Sequence, residues 1–293
     1  MPSWQGKSRG TSTGYRIFVA VLKNFGISPA YLLLRVVVLY YFLFSFRSSK
    51  LIFHYFHKRL HFGRFRSFML LYRNYYRLGQ TLIDKVVVLS GMEERFTFDF
   101  DGEEHLRNIT AGQRGGLLLS AHIGNWEIAG HLLKRLETPI HVVMYDGEHR
   151  QIKAYLDSVT GKRNMRVIII KNDLSHIYAI HDALKKNELV CMHADRFIEG
   201  NKTLTTPFIG APARFPAGPF VLAATFKVPV SFVFACKEKG QHYHFFASAP
   251  QIMANLPRQE AMQAMLADFA SAMEEKAKQY PEQWFNYYNF WQA

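Results

Sequence analysis

No aspartate or glutamate occurs among the first 83 residues, and Asp84 is the first acid in the chain. The same stretch carries 13 lysines and arginines, while the remaining residues hold 23 basic and 23 acidic ones, so the whole net charge of +13 sits in the N-terminal part. A segment of that kind faces either nucleic acid or an anionic membrane surface. Its basic residues are interleaved with apolar runs at 32–34, 36–44 and 68–71, whereas nucleic-acid-binding arms are polar between their charges. This points to an anionic membrane and away from nucleic acid. Cysteine is scarce too. Cys191 and Cys236 lie in apolar, strand-like runs, which excludes a disulfide framework and reads as two small core residues in a reducing compartment. Proline and glycine are not enriched and charged residues are 20% of the chain, which excludes extensive disorder. There is no HExxH, no GxSxG and no glycine-rich phosphate loop, so zincin, serine hydrolase and P-loop chemistry lack their signatures.

Residues 30–44 are apolar except for Arg35. That is short for a hydrocarbon core of about 30 Å, so the stretch either spans with the help of its flanks or lies in the interface as an anchor. No small-residue cleavage site follows it, which argues against a signal peptide. Residues 52–76 repeat the theme, with aromatic and aliphatic residues between Lys, Arg and His at helix-like spacing. The expectation is a basic, hydrophobic, helical membrane-associating region over 1–83, docked on one membrane face, and a catalytic domain over 84–293.

From about residue 80, short β-type runs alternate with helical stretches. Strands are expected over 96–100, 116–120, 140–144, 166–170, 188–193, 229–235 and 242–247, and helices over 126–136, 149–160, 175–186, 217–226 and 258–279. Such alternation, with 49% hydrophobic residues to fill a core, predicts an α/β fold with a mostly parallel central sheet flanked by helices. Ligands in such sheets sit beyond the carboxyl ends of the strands.

The segment GGLLLSAHIGNWEIAG, residues 115–130, places His122 directly after an apolar strand and Glu127 five positions on. Within one continuous helix five positions rotate a side chain by about 140° away, and the two groups cannot meet. They can if His122 sits in a strand-to-helix turn, which Gly124 permits, and Glu127 in the first helical turn. The carboxylate then fixes one imidazole nitrogen, and the other is free to take a proton from a substrate hydroxyl or amine. Asp195 and Arg196 fall at another strand end, after LVCMH. The stretch TPFIGAPARFPAGPF, residues 206–220, is rich in Gly and Pro and reads as a loop entering a helix near Ala217, where a helix N-terminus below Arg214 suits a phosphate or oxyanion. His122, His193 and Asp195 have a spacing that could hold a divalent ion, although no metal is expected. A metal-dependent membrane hydrolase and a non-catalytic membrane scaffold are two readings open to these residues.

AHIGNWE resembles the His-x4-acid motif of the lysophospholipid acyltransferase superfamily, in the form carried by the lipid A late acyltransferases. The order of the other blocks is similar: a basic hydrophobic N-terminus, Asp195-Arg196, Pro207 to Pro212, Gly218-Pro219, Pro229-Val230 and the aromatic Gln283 to Tyr288. The likeness covers roughly residues 15 to 290 and is strongest to a branch associated with aryl-polyene and flexirubin-type pigment pathways. It implies a fatty or polyene acyl group delivered as a thioester of acyl-carrier protein or coenzyme A, a lipid-type acceptor, no cofactor beyond the thioester, and a site on the cytoplasmic side of the inner membrane. By position it implies His122 as base with Glu127 as its orienting partner, and Asn125, Trp126, Asp195, Arg196, Gly210, Arg214 and Gly218 as substrate-binding residues. The Arg-Pro pair of lipid A enzymes is replaced here by Tyr145-Asp146-Gly147, a departure that touches the acceptor contact.

Overall fold

The computed structural model describes residues 12–126, 128, 136–145, 165–171 and 173–291. Four helices come first: α1 (Ser12–Phe25), α2 (Ile27–Phe44), α3 (Phe46–His54) and α4 (Arg64–Leu89), with a π-helical turn at Tyr55–Arg59 between the last two. The sheet strands are β1 (Thr97–Asp101), β2 (Gly116–Ser120), β3 (Ile140–Tyr145), β4 (Met165–Ile170), β5 (Leu189–His193), β8 (Val230–Lys237) and β9 (His242–Ala247). Their order is β1-β9-β8-β2-β5-β3-β4. Every neighbouring pair is parallel except the β8–β9 hairpin. Helices α5 (Glu103–Ala111), α6 (Ser175–Lys185), α7 (Ala217–Phe226) and α8 (Arg258–Gln279) complete the described elements of the α/β architecture. β2 and β8 are buried at every position, as expected of parallel strands covered on both faces, whose sequences run apolar rather than alternate. The helices expected over 126–136 and 149–160 fall largely or wholly outside the described residues.

The Gly- and Pro-rich stretch is regular, which corrects the loop expected there. Thr203–Phe208 (β6) and Ala211–Pro216 (β7) form an antiparallel ribbon with Pro207 opposite Pro212. A two-stranded ribbon leaves each strand an open edge where proline removes no ladder bond. Ile209 and Gly210 turn the chain with φ of 45° and 73°, the positive values that a two-residue hairpin turn needs.

The boundary expected between residues 83 and 84 falls inside α4. Buried residues from Val19 to Phe290 form one continuous cluster, so the N-terminal helices share a core with the sheet. Asp84, on α4, is the pivot. Lys237 Nζ donates to it at 2.6 Å with both side chains fully buried, and the hydroxyls of Tyr31 and Tyr243 donate to it as well. Asn74, also on α4, donates to the carbonyls of Glu282 and Trp284 at 3.1 and 3.0 Å. The α2 stripe Ile27, Ala30, Leu34 and Val38 is buried and packs towards α4. Gly79 makes room for it, since a Cβ there would lie 2.3 Å from Leu34 Cδ1. The opposite side of α2 presents Leu32, Val36, Leu39, Tyr40, Leu43 and Phe44 to the outside, beside Phe65, Phe68 and Met69 of α4.

Breaking a fully buried ion pair by removing one partner costs about 3–5 kcal/mol. Asp84→Ala is therefore expected to lower the urea midpoint by that amount of stability. Asp84→Leu combined with Lys237→Met recovers part of it, because no charge is then left buried alone.

Candidate active site

β2 and β5 run side by side with Ser120 opposite His193, so both release their chains at the same edge of the sheet. Two residues beyond each strand end lie His122 and Asp195. The Asp195 carboxylate takes the His122 backbone N–H at 3.0 Å on Oδ2 and meets the ring Nδ1 at 2.7 Å with Oδ1. The carboxylate is almost fully buried, while the imidazole stays 16% exposed. A carboxylate on Nδ1 fixes the proton there and leaves Nε2 with its lone pair, the state a general base needs. Burial pushes the Asp195 carboxyl upward, but the charge and hydrogen bond of His122, with Arg196 behind it, outweigh burial and hold it well below the usual carboxylate range.

The turn carrying His122 is strapped from behind. Phe285 N–H donates to the His122 carbonyl and Gly124 N–H to the Gln283 carbonyl, both at 2.9 Å, and Ile123 bridges Trp284. Gln283 is itself pinned to the end of β8, accepting from Lys237 N–H at 2.8 Å and donating to its carbonyl at 2.7 Å. Gly124 has φ of +69°, and a Cβ on it would sit 2.0 Å from the Ala235 carbonyl oxygen, so the turn tolerates no side chain there. The strand-to-helix turn expected from the five-residue spacing is present, with a helix opening at Trp126.

Glu127, expected to orient His122, lies outside the described residues. Asp195, expected among substrate-binding residues, occupies the orienting position. Asn125, also expected to bind substrate, is spent on the fold: it is buried, caps the helix through Ile128 N–H at 3.4 Å, and donates to the Thr81 carbonyl at 3.0 Å and to Tyr243 Oη at 3.3 Å. The cap follows from a helix needing its first N–H groups satisfied. Trp126 does line the site, its ring perpendicular to that of His193 at 4.8 Å. Arg196 is joined to the Phe285 carbonyl through one terminal nitrogen, while its buried Nε has no partner among the described residues. Arg214 approaches by way of Phe197, lying 5.3 Å from that ring, and its Nε donates to Thr203. Gly210 makes the hairpin turn and Gly218 stands in the first turn of α7 with open space where a Cβ would be.

The C-terminal strap was not assigned a role from sequence, and His193 only that of a metal ligand in the alternative reading. The strap over 283–288 was visible only as an aromatic block, and Tyr288 Oη donates to the Asp195 carbonyl at 2.7 Å. His193 stacks on the His122 ring with centroids 4.1 Å apart. His122, His193 and Asp195 also bring potential ligand atoms within 4.8 Å of one another, the group that the spacing had suggested for a metal. Each Asp195 oxygen already takes one N–H from His122 and keeps a further lone pair, so a metal would share that carboxylate with the imidazole. The cysteines are free, and burial pushes the Cys191 thiol up to about 12 and raises that of Cys236, consistent with inert core residues.

Gly124→Ala is expected to cost about 1–3 kcal/mol from its backbone conformation alone, and more from the clash, read as a lower urea midpoint. Asp195 has a depressed folded pKa, so its stabilisation is complete above the unfolded value near 4 and is lost as pH falls towards the folded one. The stability gap between the wild type and Asp195→Asn should be constant above pH about 5 and close below about 4, in urea titrations at stepped pH.

A profile of the family described as "Bacterial lipid A biosynthesis acyltransferase" matches residues 71–293. No curated protein sequence matches the chain. Among solved structures it is similar to a 1-acyl-sn-glycerophosphate (LPA) acyltransferase, PlsC, from Thermotoga maritima, at 15% identity and a TM-score of 0.38, over 80% of this chain and 98% of that one. The family match spans the His122 turn, the Asp195 strand end and the C-terminal strap, and the chain belongs to the bacterial lipid A biosynthesis acyltransferase family.

Proposed function

We propose that the protein moves an acyl group from a thioester, carried by acyl-carrier protein or coenzyme A, to a hydroxyl or amine of a lipid-type acceptor at a membrane surface. The observation that carries this reading is the His122 imidazole with Nδ1 held by the Asp195 carboxylate at 2.7 Å and Nε2, at the carboxyl edge of the sheet, without a partner among the described residues. His122 takes the proton of the attacking group, and Asp195 orients the ring and stabilises the imidazolium that forms. The proton later passes to the departing thiol. The thioester brings the activation with it, so the step as written calls on no metal or other cofactor. Glu127 remains a candidate second carboxylate of the motif. In this reading Trp126, Arg196 and Arg214 border the substrate.

Membrane attachment belongs to the same reading. α2 has 18 residues and a mean hydropathy of 1.8, about 27 Å of helix at 1.5 Å per residue. One stripe of it is engaged by α4 and the other is apolar and exposed, which favours a helix lying in the interface over one crossing alone. The acid-free N-terminal part suits an anionic, cytoplasm-facing leaflet, where acyl thioesters are also found.

In a deletion strain, one acylated lipid should disappear and return with the wild-type gene. His122→Ala and Asp195→Asn should each reduce it by about 10²-fold or more while the proteins stay folded by circular dichroism. Full restoration by a folded His122→Ala variant sinks the reading. Chelators should leave the purified enzyme active; loss that zinc reverses would instead favour the metal-dependent hydrolase, for which the His122–His193–Asp195 grouping is the relevant observation. Leu32→Glu with Val36→Glu should weaken flotation with phosphatidylglycerol-containing vesicles while leaving the urea midpoint nearly unchanged, since both positions are exposed.

A further inference from the structure

His193 is the anomaly of the site. Both ring nitrogens are shut off from water and neither has a hydrogen-bond partner among the described residues. An unpaired buried polar group costs about 1–3 kcal/mol, and such groups in folded proteins call for an explanation, a missing ligand among them. The Ser120 carbonyl, which accepts Ala194 N–H at 2.8 Å, lies near enough to the ring to favour its protonated form slightly but does not meet it at hydrogen-bond geometry. The ring lies parallel to His122 at 4.1 Å, with the Trp126 ring against it. Its ligand-type nitrogen lies within 4.8 Å of both the His122 nitrogen and the Asp195 oxygen. A group at the base's elbow with unused hydrogen-bonding capacity stands where a reacting carbonyl must come.

We propose that His193 is a catalytic residue of the acyl transfer inferred above, its ring N–H binding the carbonyl oxygen of the acyl thioester and holding the charge that develops there. The inference rests on that reading of the function. As the acceptor oxygen or nitrogen forms its bond to the thioester carbon, its proton goes to His122 Nε2. The carbonyl π pair moves onto oxygen, against the His193 N–H. When the pair returns, the C–S bond breaks and the sulfur leaves with the proton from His122, so both imidazoles end neutral. Burial, reinforced by the neighbouring His122, lowers the pKa of His193 well below the ordinary histidine value. It therefore stays a neutral donor and does not compete for the acceptor's proton. Trp126, packed on the ring in the free protein, gives way to the acyl group.

Two variants separate donation from packing. His193→Phe keeps a flat ring to stack on His122 but has no donor; His193→Gln keeps a donor and loses the ring. With myristoyl-coenzyme A and phosphatidylethanolamine–phosphatidylglycerol vesicles, free thiol release by His193→Phe should fall about 10²–10³-fold in kcat, the usual effect of removing one oxyanion donor. KM and the acid limb of the pH profile should hardly move, and His193→Gln should recover at least a tenfold part of the loss. A second measurement needs no turnover. The carbonyl stretch of a ¹³C-labelled myristoyl analogue of coenzyme A, with methylene in place of sulfur, should shift to lower frequency on binding wild type and His122→Ala but not His193→Phe. An unchanged kcat in His193→Phe, or the same carbonyl shift in it, overturns the role of His193 even if transfer by the wild type still depends on His122. If the wild type releases thiol neither from myristoyl-coenzyme A nor from myristoyl-acyl-carrier protein, the thioester reading fails and takes this proposal with it.

Discussion

A carboxylate and an ammonium with no exposure to water hold this molecule in register. Asp84 and Lys237 are the pair, and in the interior such charges persist only when they face each other and their remaining valences are satisfied. The satisfaction here comes from Tyr31 on α2 and Tyr243 on β9, and Tyr243 in turn receives the Asn125 amide. One polar knot thus joins the N-terminal helices, the end of β8 and the turn that carries His122. The apolar outer side of α2 and the base at the sheet edge therefore keep a fixed spatial relation. A membrane touching the first also fixes where the second stands.

The site follows the same economy of long-range ties. Its base comes from the end of β2, its orienting acid from the end of β5, and the floor under both from residues 283–288. A local motif would have kept base and acid in one turn of chain. Here the sheet register, Ser120 opposite His193, does the aligning, and a parallel pair of strands makes an efficient jig because both chains leave at the same edge. His193 belongs to this jig as much as to the chemistry, since the register that brings Asp195 to His122 also lays one imidazole on the other.

How far the sequence could be read tracks how local each feature is. β2, β9, α7 and α8 match their expected bounds because apolar or helix-forming runs cut off by Gly, Pro and polar residues mark an element's ends directly in the chain. The turn at Gly124 was readable for the same reason: two residue types and a spacing suffice. The β6–β7 ribbon was not, because its prolines argue against strand until it is known that both edges are open. Asp195 as the partner of Nδ1 was not either. It lies 73 residues from His122, and only the sheet order, in which β5 lies beside β2 with two strands between them in sequence, brings the two together. Asn125 shows that a residue inside a motif can also cap its helix.

The strap has a consequence for how such a chain comes to life. β2 and β5 are synthesised well before Gln283, Trp284 and Phe285, yet it is these late residues that hold the His122 turn in place. In a nascent chain the two strands can therefore pair before the His122 turn is held, and the turn is set only when the strap arrives.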